Sequence, residues 1–206
     1  MRKYFPFLLA SIWLAAVSIG AGILLVYDYT PGNAASVRGN WPVQSKIPHD
    51  ADQPTLVMFA HPNCPCTRAS IGELAVLMAH CQNRVNARVV FFRPKGSGDD
   101  WLHTDLWRSA GAIPGVMVQA DEEGNEARGF QVTTSGHVVL YDVHGKLIFS
   151  GGITSARGHA GDNAGRSAIM KLLNHETAVG LETPVFGCSL LNPKPECDAK
   201  DTVCRP

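Results

Sequence analysis

The chain has no excess of charge of either sign: 18 Lys and Arg balance 18 Asp and Glu over 206 residues. Such a surface carries no basic field to hold a phosphate backbone, which excludes nucleic acid as a partner. Internal repeats and low-complexity blocks are absent as well, so solenoids and disordered arrays drop out. From Tyr4 through Tyr27 charge is missing altogether, and most of the positions are Leu, Ile, Val, Ala, Phe or Trp.

That gap in charge is the first positive signal. About 20 apolar residues suffice to cross a bilayer core, and an ordinary cleaved signal has an apolar core of only about 7–15. No convincing small-x-small cleavage site follows; residues 32–36, Gly-Asn-Ala-Ala-Ser, come nearest. An uncleaved signal anchor is therefore preferred to a cleaved signal, with residues 5–27 contacting the membrane. Arg2 and Lys3 would hold the N-terminus in the cytoplasm. The rest would lie outside, in the periplasm of a Gram-negative cell, where disulfides persist. The expected layout is a transmembrane helix at 1–27, a polar, proline-punctuated linker at 28–53, one domain at 54–176 and a Cys- and Pro-containing tail at 177–206. Without the anchor roughly 175 residues remain, enough for a proper core.

Within the domain strand and helix patterns alternate. Thr55–Ala60 reads as a strand, and a helix runs from about 65 to 82, with Ala69, Leu74, Leu77, Met78 and Cys81 at helical spacing on a buried face. A second strand covers 87–92. A short helix at 101–110, a strand at 115–120 and a helix at 122–130 follow. Residues 137–142 and 146–150 form a hairpin whose turn uses Gly145 for its positive φ. A last helix covers 163–175, with Asp162 or Asn163 as N-cap. The order predicts an α/β fold, a central mixed sheet flanked by helices.

The chemistry concentrates where the first strand meets the first domain helix, in His61-Pro-Asn-Cys-Pro-Cys66. A helix N-terminus gathers unpaired N–H groups and about half a positive charge. That favours a thiolate, the reactive and metal-binding form, at Cys64 or Cys66. Cα atoms two residues apart in a turn can meet the disulfide window of about 4.4–6.8 Å, and a strained bridge there would be labile. His61 is read as tuning these thiolates, or as a ligand beside them.

The element order from residue 55 to residue 175, with the cysteine turn and the hairpin containing Asp142 and Gly145, resembles the thioredoxin-like superfamily, and in particular its membrane-anchored members outside the cytoplasm. The resemblance implies a thiol–disulfide oxidoreductase acting on protein thiols and disulfides without a cofactor, with Cys64, Cys66 and His61 as the site. Two features depart from the family. Cys64-Pro65-Cys66 replaces Cys-x-x-Cys, which leaves the attacking thiol open. Thr133-Thr-Ser-Gly136 stands where the family has a cis-proline that shapes the substrate groove and discourages metal binding. The alternatives are a Cu(I)-binding or copper-delivery module using His61, Cys64 and Cys66, with His137 or His159 as distant ligand, and a thiol peroxidase aided by Thr67 and Arg68.

Three further features stay open. The glycine-rich segment 151–165 is read as a capping and turning loop, or as a rim that brings Arg157 and His159 toward the cysteines. Cys81, Cys188, Cys197 and Cys204 allow three full pairings, with Cys197–Cys204 the shortest loop. Cys188 is alternatively a resolving thiol for Cys64 or Cys66, and Cys81 a buried, inert one.

Overall fold

The computed structural model describes residues 4–33, 35–81 and 83–191. Cys197 and Cys204, and with them the expected bridge between the two, lie outside the described residues. The first element, α1 (Phe5–Tyr29), carries one charged residue, Asp28, near its C-terminal end and is otherwise almost entirely apolar. Its span Phe7–Tyr29 has a mean hydropathy of 2.3 and none of it is buried, so it is long and apolar enough to cross a membrane.

The domain is a five-stranded sheet made of β1 (Thr55–Ala60), β2 (Asn86–Arg93), β3 (Val116–Glu122), β4 (His137–Tyr141) and β5 (Leu147–Gly151), in the order β3-β2-β1-β4-β5. β1, β2 and β3 are parallel, whereas β4 is antiparallel to both β1 and β5. This is the mixed sheet expected from the sequence. β1 is central and buried along its whole length. Its alternate side chains feed two cores. Leu56, Met58 and Ala60 pack under the helices α2 (Thr67–Cys81), α3 (Asp105–Gly111) and α5 (Ala164–Leu173). Val57 and Phe59 face α4 (Asn125–Phe130) on the other side. Burying a side chain the size of Phe59 contributes about 1.5–3 kcal/mol.

Several boundaries move from their expected places. The helix expected at 101–110 is a 3-10 turn at Asp99–Trp101 followed by α3, because the Thr104 hydroxyl caps α3 by accepting from Trp107 N. The helix expected from 122 starts at Asn125, after Gly124 turns the chain at φ 72°. Asn163, not Asp162, caps α5, its Oδ1 accepting from Arg166 N at 2.8 Å.

The two segments read as accessory pack against the domain. From the linker, Trp41 meets Phe130 and Tyr141 edge-on at 5.1 Å, and Ile47 is fully buried. From the tail, Thr183 N donates to Ser150 O, and Ser150 N donates to Leu181 O. Leu147 N donates to Gly39 O, so linker and tail together cover the free edge of β5.

One buried carboxylate joins α2 to α5. Glu73, 3% exposed, is ion-paired with Arg166 and accepts from Gly161 N at 2.6 Å and Asn163 Nδ2 at 3.1 Å. Removing one partner leaves Arg166 without its buried counter-charge, so Glu73→Ala is expected to cost about 3 kcal/mol, read as a lowered midpoint in urea unfolding. A change below about 0.5 kcal/mol would count against this anchoring role.

Candidate functional site

β1 ends at Ala60, and the chain turns at once through His61-Pro62-Asn63-Cys64-Pro65-Cys66. Tight backbone bonds wind this segment: Cys64 N to His61 O at 3.1 Å, Thr67 N to Cys64 O at 3.1 Å and Ala69 N to Cys66 O at 3.2 Å. They have the i→i+3 spacing of a 3-10 turn. The helix therefore begins at Thr67 rather than Pro65, and both cysteines sit just ahead of it. Cys64 is 1% exposed and Cys66 7%.

A third cysteine completes the site from the tail. The sulfurs of Cys64, Cys66 and Cys188 all lie within 4.8 Å of one another, and Cys188 is only partly buried. The tail is held there by backbone pairing with the loop before β4. Ser135 N donates to Cys188 O at 2.9 Å, Leu190 N donates to Thr133 O at 2.8 Å, and Thr134 bridges Ser189 in antiparallel fashion. Ser135 lies in Thr133–Gly136, the loop where the family resemblance leads one to expect a proline. A proline at 135 has no N–H and would lose the bond to Cys188 O. No cis peptide bond occurs among the described residues.

The fully buried Ser135 also ties the tail to the cysteine turn. Its hydroxyl accepts from His61 N at 2.7 Å and lies 2.7 Å from the Thr67 hydroxyl. Arg157, from the glycine-rich segment, closes the other side. Its Nη1 donates to Gly187 O at 2.7 Å, its Nε to Thr30 O at 3.1 Å, and it hydrogen-bonds Cys66. Its guanidinium also lies over the Tyr27 ring, 4.9 Å from the centroid. Of the two readings of that segment, the rim reading holds for Arg157. His159 turns away, its ring 3.7 Å from the Asp28 carboxylate.

The three thiols differ electrostatically. Burial pushes the Cys64 thiol up, but hydrogen bonds from the Thr67 hydroxyl and from the Cys188 backbone and thiol more than offset it, so Cys64 lies below the ordinary thiol range. Cys66 is raised, first by burial and then by the Cys64 thiolate beside it, with Arg157 acting in the opposite sense. Burial, together with its hydrogen bond to Cys64, pushes Cys188 up to about 12. Negative charge is therefore favoured on Cys64 over Cys66 and Cys188. Of the three thiols, Cys64 is the one whose surroundings most favour the thiolate form.

The remaining sequence-based candidates fall elsewhere. The His61 ring packs on Phe92 and Trp101, with centroids 5.8 Å away, and His61 is not part of the three-sulfur cluster. His137 is buried, its Nε2 is 2.8 Å from the Ser150 hydroxyl, and burial lowers it to about 4. Arg68 is an exposed residue paired with Asp105, which leaves Thr67 as the one of the two peroxide-polarising candidates that touches Cys64. Cys81 is buried in the apolar core, as its helical position implies. The role of Ser135 escaped sequence reasoning; its signal was a run of small polar residues where proline is expected.

No family model and no curated protein matches the chain. Solved structures do. An uncharacterized conserved protein from Geobacillus kaustophilus aligns at 17% identity with a TM-score of 0.58, over 82% of this chain and 95% of that one. A hypothetical protein from Sinorhizobium meliloti aligns at 18% identity with a TM-score of 0.56, over 78% of this chain and 97% of that one. At such identities the alignments establish the fold and nothing about activity. The fold is thioredoxin-like.

On this thioredoxin-like frame the Thr67 hydroxyl is the side chain that most directly lowers Cys64. Thr67→Val removes that donor and keeps the shape. The thiolate absorbance of Cys64, followed in the ultraviolet against pH, is expected to rise at higher pH in the variant than in the parent. An unchanged titration would remove Thr67 from the account.

Proposed function

We propose that this chain is a membrane-tethered thiol–disulfide oxidoreductase acting outside the cytoplasm, with Cys64 and Cys66 as its redox pair. One observation carries the reading: three cysteine sulfurs within 4.8 Å of one another, the most buried of which, Cys64, is hydrogen-bonded by Thr67 and Cys188 and lies below the ordinary thiol range. The Cys64 thiolate attacks a disulfide sulfur of a protein substrate, forms a mixed disulfide and expels the first substrate thiolate. Cys66 then loses its proton and attacks the Cys64 sulfur, expelling the second thiolate and closing a Cys64–Cys66 bridge. Two electrons pass to the substrate; the reverse sequence oxidises a dithiol. Tethering is supported by the apolar span Phe7–Tyr29, and the outside location by the placement of Arg2 and Lys3 before it.

The test uses the full chain in detergent with a disulfide-bonded protein substrate. Cys64→Ser is expected to fall to the buffer rate. A double variant, Cys66→Ser with Cys188→Ser, keeps no second thiol in the cluster and should trap the substrate as a mixed disulfide on Cys64, seen by mass spectrometry. Absence of any adduct, on Cys64 in this variant and on Cys188 in the single variant Cys66→Ser, would refute the reading.

The same cluster favours a second reading, a Cu(I) site. Three thiolates are a soft donor set, and Cys188 takes the place that sequence reasoning gave to His61. Reduced protein should then take up one Cu(I) against a competing chelator, with binding weakened at least about tenfold by Cys188→Ser and unchanged by His61→Ala. Equal affinity in parent and Cys188→Ser would exclude this three-sulfur site.

A further inference from the structure

The segment 187–190 has two properties that a surface tail does not need. Its backbone pairs with the loop before β4 as an added antiparallel strand, through Ser135 N to Cys188 O and Leu190 N to Thr133 O. It also approaches that loop so closely that a Cβ on Gly187 would lie 1.9 Å from Ser135 O, so glycine alone fits there. Arg157 clamps the same residue through Gly187 O. The segment is thus built to dock.

What docks there is a thiol. Cys188 is the most exposed of the three clustered cysteines, whereas Cys64 is 1% exposed. An outside disulfide or thiol therefore meets Cys188 before Cys64. We infer that residues 187–190 are a tethered substrate strand, in which Cys188 carries disulfide exchange between Cys64 and the surface while its docking shields Cys64 from direct attack.

The inference rests on the redox reading above and adds a third station to it. Starting from the Cys64–Cys66 bridge, the Cys188 sulfur attacks Cys64 as its proton passes to the departing Cys66; the Cys64–Cys188 bond forms, the Cys64–Cys66 bond breaks and Cys66 leaves as a thiol. A thiolate of an incoming protein dithiol then attacks the Cys188 sulfur and releases the Cys64 thiolate. The second thiolate of that dithiol displaces Cys188, so the substrate leaves as a disulfide and the protein gains two electrons. The reverse order reduces a substrate disulfide.

The test takes the full chain with Cys66→Ser through a glutathione redox buffer, with the disulfides mapped by peptide mass spectrometry. A reversible Cys64–Cys188 bridge is expected. Glutathione on Cys64 with no Cys64–Cys188 bridge would overturn the relay and leave the oxidoreductase reading standing; Cys64 inert toward glutathione and toward Cys188 alike would sink both. Shielding is read separately. Gly187→Val should undock the strand and speed alkylation of Cys64 by about tenfold or more. In the unmutated chain the amides of Ser135 and Leu190 should be protected from hydrogen exchange. Rapid exchange at both amides would refute docking whatever the folding of the variant.

Discussion

Ser135 connects the three parts of the site. Its hydroxyl receives the His61 amide, which sets the start of the cysteine turn, and meets the Thr67 hydroxyl, which in turn faces Cys64. Its amide holds Cys188 through the backbone. The next residue, Gly136, returns the chain to β1 by donating to Phe59 O at 2.7 Å, and takes φ 86° where an added Cβ would sit 2.9 Å from Ser70 Oγ. Turn, helix start and tail are thus referenced to one buried hydroxyl and one amide. Buried polar groups of this kind are stabilising only when fully paired, which makes the arrangement specific.

The electrostatics follow from that geometry. Burial alone raises every thiol in the cluster, since it disfavours the charged form. Only Cys64 collects enough donors to reverse the effect, and the donors come from two distant parts of the chain, Thr67 on α2 and Cys188 in the tail. Charge on Cys64 then pushes up its neighbours Cys66 and Cys188. One lowered thiol beside two raised ones makes Cys64 the position where negative charge is most easily held.

Arg157 links this cluster to the apolar helix. Its backbone N donates to Asp28 O and its side chain to Thr30 O, while the guanidinium rests on Tyr27. The same side chain reaches Gly187 and Cys66. The thiols therefore sit beside the end of α1, and the polar, proline-punctuated linker lies along the domain, because Trp41 and Ile47 have an apolar face to cover. Periodicity could not reveal this, since a short irregular segment carries no repeat.

The local sequence by itself determined the elements, the apolar span and the place of the cysteine turn. Alternation and helical spacing report which residues face a core, and a cysteine pair ahead of a helix is a local feature. The tertiary structure decided which thiol is lowered and what completes the cluster. Cys188 lies more than a hundred residues from Cys64 in sequence. Its pairing with Thr133–Ser135 is a backbone contact between two irregular segments, with no side-chain code to announce it. The pKa order depends on burial and on donors that converge only when the chain is folded, so residue types and spacing could propose the thiols but could not rank them.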